Sequence, residues 1–381
     1  MKRLFSHRIL VKTAIVFMTI CILVLISEVA LRNIFPRSNE YYVWPPHLQR
    51  ISRPLPGVMP GVAGESRFIT NSKGVRADEL TADYTYKILA VGASTTECLY
   101  LDQEEAWPHL LQKSLNESQS YYKVWVGNVG KSGLNTRDHI VELQYLLKQY
   151  TDIDVIILLI GANDFLSRLG QDTSYNPDFL KNTSADNQLL QRVFSNAGDE
   201  SSRILSIVKA AIFPSRTVQD EAGKIYITWR EHRRNAAAIR QTLPDLTSAL
   251  EEYTRNINII IDLAQGKSIR VIFMTQQVLW TPNIPEQLNS LLWAGGIGNF
   301  QKERGKEYYS VEALSTGMEM YNKSLIKACH ARHVECFDLA SILPKDTTVF
   351  YDDVHFNENG AKKVAEALTR YLIQDNLLSK Q

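Results

Sequence analysis

Cysteine is scarce in this chain: four residues among 381, one of them inside an N-terminal apolar run. That is too few for a disulfide framework, and it leaves the redox compartment open. A surplus of one charge is missing as well. The 42 Lys and Arg nearly balance 41 Asp and Glu, for a formal net charge of +1. No long basic run lies beyond the N-terminus, so nucleic-acid binding has no electrostatic footprint here. No internal repeat is present. What remains is ordinary globular material: 45% hydrophobic and 22% charged residues, in a chain long enough to bury a full core as one large domain or two average ones.

The N-terminus departs from that average. Lys2, Arg3, His7, Arg8 and Lys12 precede an apolar run from Thr13 to Ile26. Ile9-Leu10-Val11 and Val29-Ala30-Leu31 lengthen it to about the 20 residues a membrane-spanning helix needs. Positive charge ahead of the run favours an N-terminus left in the cytoplasm. A cleaved signal peptide is the rival, but Ser27-Glu28-Val29-Ala30 is a poor cleavage site and Cys21 follows Met18-Thr19-Ile20, which is no lipobox. A buried helix of a soluble protein is the third reading. The expectation is an uncleaved signal anchor over 13–31, with residues 1–12 cytoplasmic and the rest on the periplasmic or extracellular side. Six prolines between Pro36 and Pro60 suggest a stalk over 32–64, lying over the domain or leading to it.

Beyond Tyr86 apolar runs alternate with amphipathic ones. Strands are expected at Lys87–Val91, Val124–Val126, Val155–Ile160, Arg270–Met274 and Cys336–Leu339. Helices are expected at Trp107–Leu115, Arg137–Tyr150, Leu246–Ala264, Met318–Ala331 and Gly360–Leu377. Almost wholly apolar strands belong to a parallel sheet buried on both faces, and repeated β-α units imply a three-layer α/β domain over 65–381. Two stretches, 167–244 and 281–311, are too long for simple connections and are expected to form a cap or lid.

In such a sheet, ligands collect beyond the carboxyl ends of the strands. Those ends read Gly92-Ala93-Ser94-Thr95-Thr96, then Asn128-Val129-Gly130-Lys131-Ser132-Gly133, then Gly161-Ala162-Asn163-Asp164, and finally, past a short loop after the last strand, Asp352-Asp353-Val354-His355. Acyl transfer needs a hydroxyl, a base, a carboxylate to orient the base, and donors for a tetrahedral oxyanion. Each type is present. Alone, each piece is bland: a serine after a strand is commonly a turn residue, and D-x-x-H is commonly a loop feature. In this order, each after its own strand, they are hard to assign to chance.

The four segments resemble the four signature blocks of SGNH (GDSL-like) hydrolases, in the family's order. Asn71-Ser72-Lys73-Gly74-Val75-Arg76 is also similar to a stretch preceding the first block in membrane-linked bacterial members. The resemblance implies Ser94 as nucleophile, His355 as base and Asp352 as its orienting acid. It implies an oxyanion hole made of the Ser94 and Gly133 N–H groups and the Asn163 amide. It further implies a flavodoxin-like αβα sandwich around a five-stranded parallel sheet, here preceded by a transmembrane helix, with no cofactor and no metal. One departure stands out: Ala93 occupies the position where the family usually has Asp.

Gly127–Ser132 looks like the end of a P-loop, but Trp125 stands where a glycine is required and Gly133 interrupts the helix start. Cys329, His330, His333 and Cys336 cluster like metal ligands yet straddle a helix end and a core strand, so packing is expected, with a Cys329–Cys336 disulfide left open. Sequons at Asn116, Asn182 and Asn322 are common by chance. G-x-S-x-G is absent around Ser94, which argues against an α/β-hydrolase. Trp280 and Trp293 are candidates for stacking on sugar rings or for buried packing. The function implied is hydrolysis of an O-acyl ester on a cell-envelope or extracellular glycan, or of a lipid-like ester. The alternatives are an O-acyltransferase of exopolysaccharide using the same triad, and a non-catalytic glycan-binding module.

Overall fold

The computed structural model describes residues 2–34, 40–118, 121–181, 185–197 and 217–374. Its centre is a five-stranded sheet whose order from edge to edge is Val124–Asn128, Tyr86–Gly92, Val155–Leu159, Arg270–Met274 and Glu335–Phe337. Every neighbouring pair in it is parallel. The apolar runs decide this: Ile88 to Val91 and Val155 to Leu159 are completely buried, as a strand covered by helices on both faces must be. Helices Trp107–Ser118 and Glu358–Gln374 pack together, while Thr136–Gln149, Thr247–Gln265 and Val311–Arg332 form a second group. The α/β sandwich expected from the sequence is the fold observed.

Boundaries moved where caps act. The helix expected from Met318 begins at Val311, because the Ser310 side chain accepts the Ala313 N–H at 3.2 Å and so closes an earlier N-terminus. Asn135 and Asp138 form a reciprocal capping box that starts the helix at Thr136. At the other end, residues 375–377 of the expected closing helix lie outside the described residues.

The segment expected as a stalk contributes a strand, Gln49–Pro54, paired on one side with Ser66–Ile69 and on the other with Thr217–Ala222 of the first insertion. Its residues 35–39 lie outside the described ones, as do 182–184 and 198–216 of that insertion. The two insertions join each other through Ala238–Arg240 and Glu307–Tyr309. Before all of this comes a helix over Lys2–Ile34 whose Val11–Ile34 segment is apolar and exposed. Its 24 residues reach about 36 Å at 1.5 Å per residue, enough for a hydrocarbon core of about 30 Å. It is long and apolar enough to cross a membrane; a signal sequence would have the same features.

Two sequons have structural employment. Asn116 bonds both main-chain groups of Val124, and Asn322 does the same for Gln276. Asn182 lies outside the described residues. Cys329 and Cys336 are free thiols in hydrogen-bond contact.

Candidate active site

Strand Tyr86–Gly92 ends in a sharp turn that places Ser94 at the first position of a one-turn helix, Ser94–Glu97. The turn is clamped from the neighbouring strand end. Asn128 donates its amide to the Thr96 carbonyl at 2.8 Å, and Glu97 accepts the Ser132 N–H at 2.7 Å and its hydroxyl. Gly130 lets these two segments touch: a Cβ there would sit 2.4 Å from the Glu97 nitrogen, which is main chain and has no side-chain freedom to yield. From below, Arg76 is buried and donates to the carbonyls of Glu97, Cys98, Leu101 and Asp102 and to the Gln103 amide oxygen. Burial lowers its guanidinium to about 10, partly offset by Cys98, Glu97 and Asp102, so it stays charged at neutral pH. The Asn71–Arg76 motif thus ends in a side chain that ties down the loop behind Ser94. That task was not legible from the motif itself.

The sheet and the last loop bring Ser94, His355 and Asp352 into one line. His355 Nε2 lies 2.8 Å from Ser94 Oγ, and its Nδ1 lies 2.7 Å from Asp352 Oδ2. A carboxylate only accepts, so Nδ1 carries the proton and Nε2 is free to accept from the serine. Asp352 Oδ1 takes the main-chain N–H groups of Val354 at 3.0 Å and His355 at 2.9 Å, which is why the acid and base stand three residues apart. Burial alone would lower the imidazole. The charge and hydrogen bond of Asp352, with the charges of Asp353 and Glu97 behind them, lift His355 above its ordinary 6.5. Burial alone would raise the Asp352 carboxyl, but His355 and the two N–H groups hold it below the usual range.

Asn163 lies beside the serine, and Gly133 lies beside Asn163. Asn163 and Ser94 line one crevice of about 10 Å³, the room of a single water. Asn163 and Gly133 line a neighbouring cleft of about 430 Å³. The Asn163 amide already donates one hydrogen to the Leu134 carbonyl at 2.8 Å, and its second is left for the crevice. Gly133 turns at φ +82°, a conformation that favours glycine. Among the described residues neither the Ser94 nor the Gly133 N–H has a protein acceptor. Asp164 next to Asn163 accepts the Thr136 N–H and hydroxyl, locking this block to the start of the preceding helix, Thr136–Gln149; burial pushes its carboxyl up to about 6 against the pull of those bonds.

Sequence reasoning missed the roof. Trp280 and Trp293, weighed above as sugar platforms, both turn their indole N–H inward: Trp280 to Asp353 Oδ1 at 2.8 Å and Trp293 to Asp352 Oδ2 at 3.0 Å. Trp280 is fully buried, so it has no face for a ligand. Arg230 and Arg233 were missed too. Arg230 donates to the carbonyls of Val58, Leu291 and Tyr351, and Arg233 to those of Ala294 and Tyr309. A Trp count and two arginines on an amphipathic helix carry no signal of such distant partners.

A model of the GDSL-like lipase/acylhydrolase family matches residues 90–363. No curated protein matches the chain. Among solved structures it is similar to a member of the lipolytic protein G-D-S-L family from Veillonella parvula, with 13% identity over 76% of this chain and 98% of that one and a TM-score of 0.40. It is similar to an acetylxylan esterase from Geobacillus stearothermophilus, with 13% identity over 77% and 97% and a TM-score of 0.41. An aryl esterase of M. smegmatis gives 11% identity over 76% and 99%, with a TM-score of 0.41.

Proposed function

Because the chain belongs to the GDSL-like lipase/acylhydrolase family, we propose that it is an SGNH-type ester hydrolase whose catalytic triad is Ser94, His355 and Asp352, removing short O-acyl groups from a glycan. The observation that carries this reading is the unbroken hydrogen-bond line from the serine hydroxyl through the imidazole to the buried carboxylate. His355 takes the serine proton as Ser94 Oγ attacks the ester carbonyl. It then returns that proton to the departing alkoxide as the ester C–O bond breaks, leaving an acyl-enzyme. Water, deprotonated by the same imidazole, releases the acid and restores the serine. The oxyanion is held by the Ser94 and Gly133 N–H groups and the second amide hydrogen of Asn163.

The free volume favours a small acyl group and a large polar alcohol. The crevice that Ser94 lines is narrow, about 10 Å³ against about 430 Å³ in the cleft beside it. The adjoining cleft is lined by the polar Gln171, Gln188 and Gln301, by Arg137 and Arg192, and by Leu166, Phe179, Trp293 and Phe300, with no carboxylate among its lining residues. Amides and an aromatic face suit sugar hydroxyls and ring faces better than a lipid tail. Full-length protein in detergent should cleave p-nitrophenyl acetate with a kcat/KM about 100-fold above that for the octanoate. Equal or better turnover of the octanoate sinks the short-acyl reading. Acyl groups recovered on an added sugar instead of in water would make the enzyme a transferase.

The N-terminal helix is proposed as an uncleaved anchor, with the hydrolase domain outside the cytoplasm. Basic residues ahead of Val11–Ile34 support that orientation. The full-length protein is expected to stay in the membrane pellet through an alkaline wash, and its domain to be digested by protease added outside intact cells. A mature N-terminus found by sequencing near Leu31 would replace the anchor with a cleaved signal.

A further inference from the structure

We propose that Trp293 is a positioning residue for the acid of the triad, its indole N–H completing the hydrogen-bond set that keeps Asp352 an ionised, correctly aimed partner of His355. The inference rests on the triad reading given above and adds to it a residue supplied by the second insertion. An ionised carboxylate has about four lone-pair sites, and all four of Asp352 are used. Oδ1 accepts from the Val354 and His355 main chain; Oδ2 accepts His355 Nδ1 at 2.7 Å and Trp293 Nε1 at 3.0 Å. The carboxylate is completely buried, with no water surface to serve as a substitute partner.

The indole is itself held. Its own main-chain N–H donates to Asp353 Oδ2 at 2.7 Å, and the Ala294 N–H to the same oxygen at 3.3 Å. Arg233 grips the Ala294 carbonyl at 2.6 Å, and the Trp229 ring packs against the indole with centroids 4.6 Å apart. The indole plane lies within 12° of the His355 imidazole plane at 6.5 Å, and that of Tyr351 within 11° at 5.4 Å. The imidazole thus faces two rings: Tyr351 from the triad's own loop, and Trp293, whose place is set by elements outside it. Asp353 explains why two adjacent acids stand here: Asp352 serves the imidazole, and Asp353 fastens the tryptophan that serves Asp352. Burial and the Asp352 charge push the Asp353 carboxyl up.

Removing the indole N–H leaves one Asp352 lone pair unsatisfied and its charge less shared. The carboxylate then either binds the imidazolium proton more tightly or takes a proton itself, and both move the loss of activity toward higher pH. The other ionisable groups facing this pair are Asp353, Glu97, Arg230, Tyr226 and Tyr351; of these Tyr226 packs against the Trp293 ring, centroids 6.1 Å apart, and phenylalanine keeps a ring there. In the unaltered protein the acid limb of kcat/KM should lie above 6.5, because His355 must be neutral to accept the serine proton and its pKa is raised.

The test compares full-length wild type and Trp293→Phe in detergent on p-nitrophenyl acetate, a substrate too small to use the outer cleft. The expected result is an acid limb about one pH unit higher in the variant, a lower plateau kcat and little change in KM. An acid limb that stays put in the folded variant overturns the inference and leaves Trp293 as packing. Failure of the underlying triad reading has a different signature: it is full activity in Ser94→Ala, whatever Trp293→Phe does. A second measurement needs no variant. In protein labelled with 15N-tryptophan, the indole proton of Trp293, recognised by its contact with the His355 ring, should shift with the midpoint of the acid limb. An indole resonance indifferent to that midpoint overturns the proposal equally.

Discussion

Ser94→Ala is expected to lower kcat on an activated ester by about a million-fold, leaving only the rate that substrate binding and the oxyanion donors sustain. A factor of that size corresponds to about 8 kcal/mol of transition-state free energy, far beyond what a misplaced neighbour could cost. Stability should barely change. Ser94 is half-buried at a cleft, and its hydroxyl contacts His355 rather than the core. The removed atom leaves His355 Nε2 facing a crevice that can admit a water. Purified full-length protein should therefore melt within a few degrees of wild type while losing both turnover and labelling by a fluorophosphonate. Retention of more than a tenth of the wild-type rate would remove Ser94 from the chemistry, whatever its distance from the imidazole.

The second large effect concerns Asn163. Asn163→Ala should reduce kcat by about 10²–10³, or roughly 2.7–4 kcal/mol, as loss of one oxyanion donor does in comparable sites. KM should hold, since a neutral ester carbonyl gains less from the amide than the charged intermediate does. The structure adds a cost that a pure oxyanion donor would not carry. The same amide supports the Leu134 carbonyl, so a loss of about 1 kcal/mol in stability is expected alongside the kinetic effect. The two losses separate cleanly, because only one scales with the charge on the reacting oxygen. A variant that melts lower yet keeps kcat within threefold of wild type would mean that Asn163 merely ties its loop to Leu134.

What could be read from the sequence follows from how local each signal is. Lys87–Val91 and Val155–Ile160 announced themselves because strands buried on both faces need apolar residues at every position, not every second one. The first observed strand is longer by one residue at both ends, and the second is shorter by one residue at its C-terminal end. Ser94, Asn163 and the Asp352–His355 pair could be singled out as candidates because the family's blocks confine such residues to short, ordered segments after the strands. The strands Ala238–Arg240 and Glu307–Tyr309 were not, since three residues are too few to show a period of two. Nor were the duties of Arg76, Arg230 and Trp293. Each acts on a main-chain carbonyl or a carboxylate that only the fold brings near: Arg230 reaches Val58 across 172 positions and Tyr351 across 121. Trp293 was visible as a tryptophan, but its donor direction depends on Asp353, 60 positions further on.

The bond between Ser94 and His355 closes a loop of 261 residues, and that length sets a clock on the enzyme. Synthesis proceeds at about 5–20 residues per second, so some tens of seconds separate the arrival of the nucleophile from that of its base. On the proposed triad, the serine lacks its base throughout that interval and hydrolyses nothing, even if the strands behind it have already paired. Esterase activity is then expected to appear only once the loop that carries His355 has docked against Trp293.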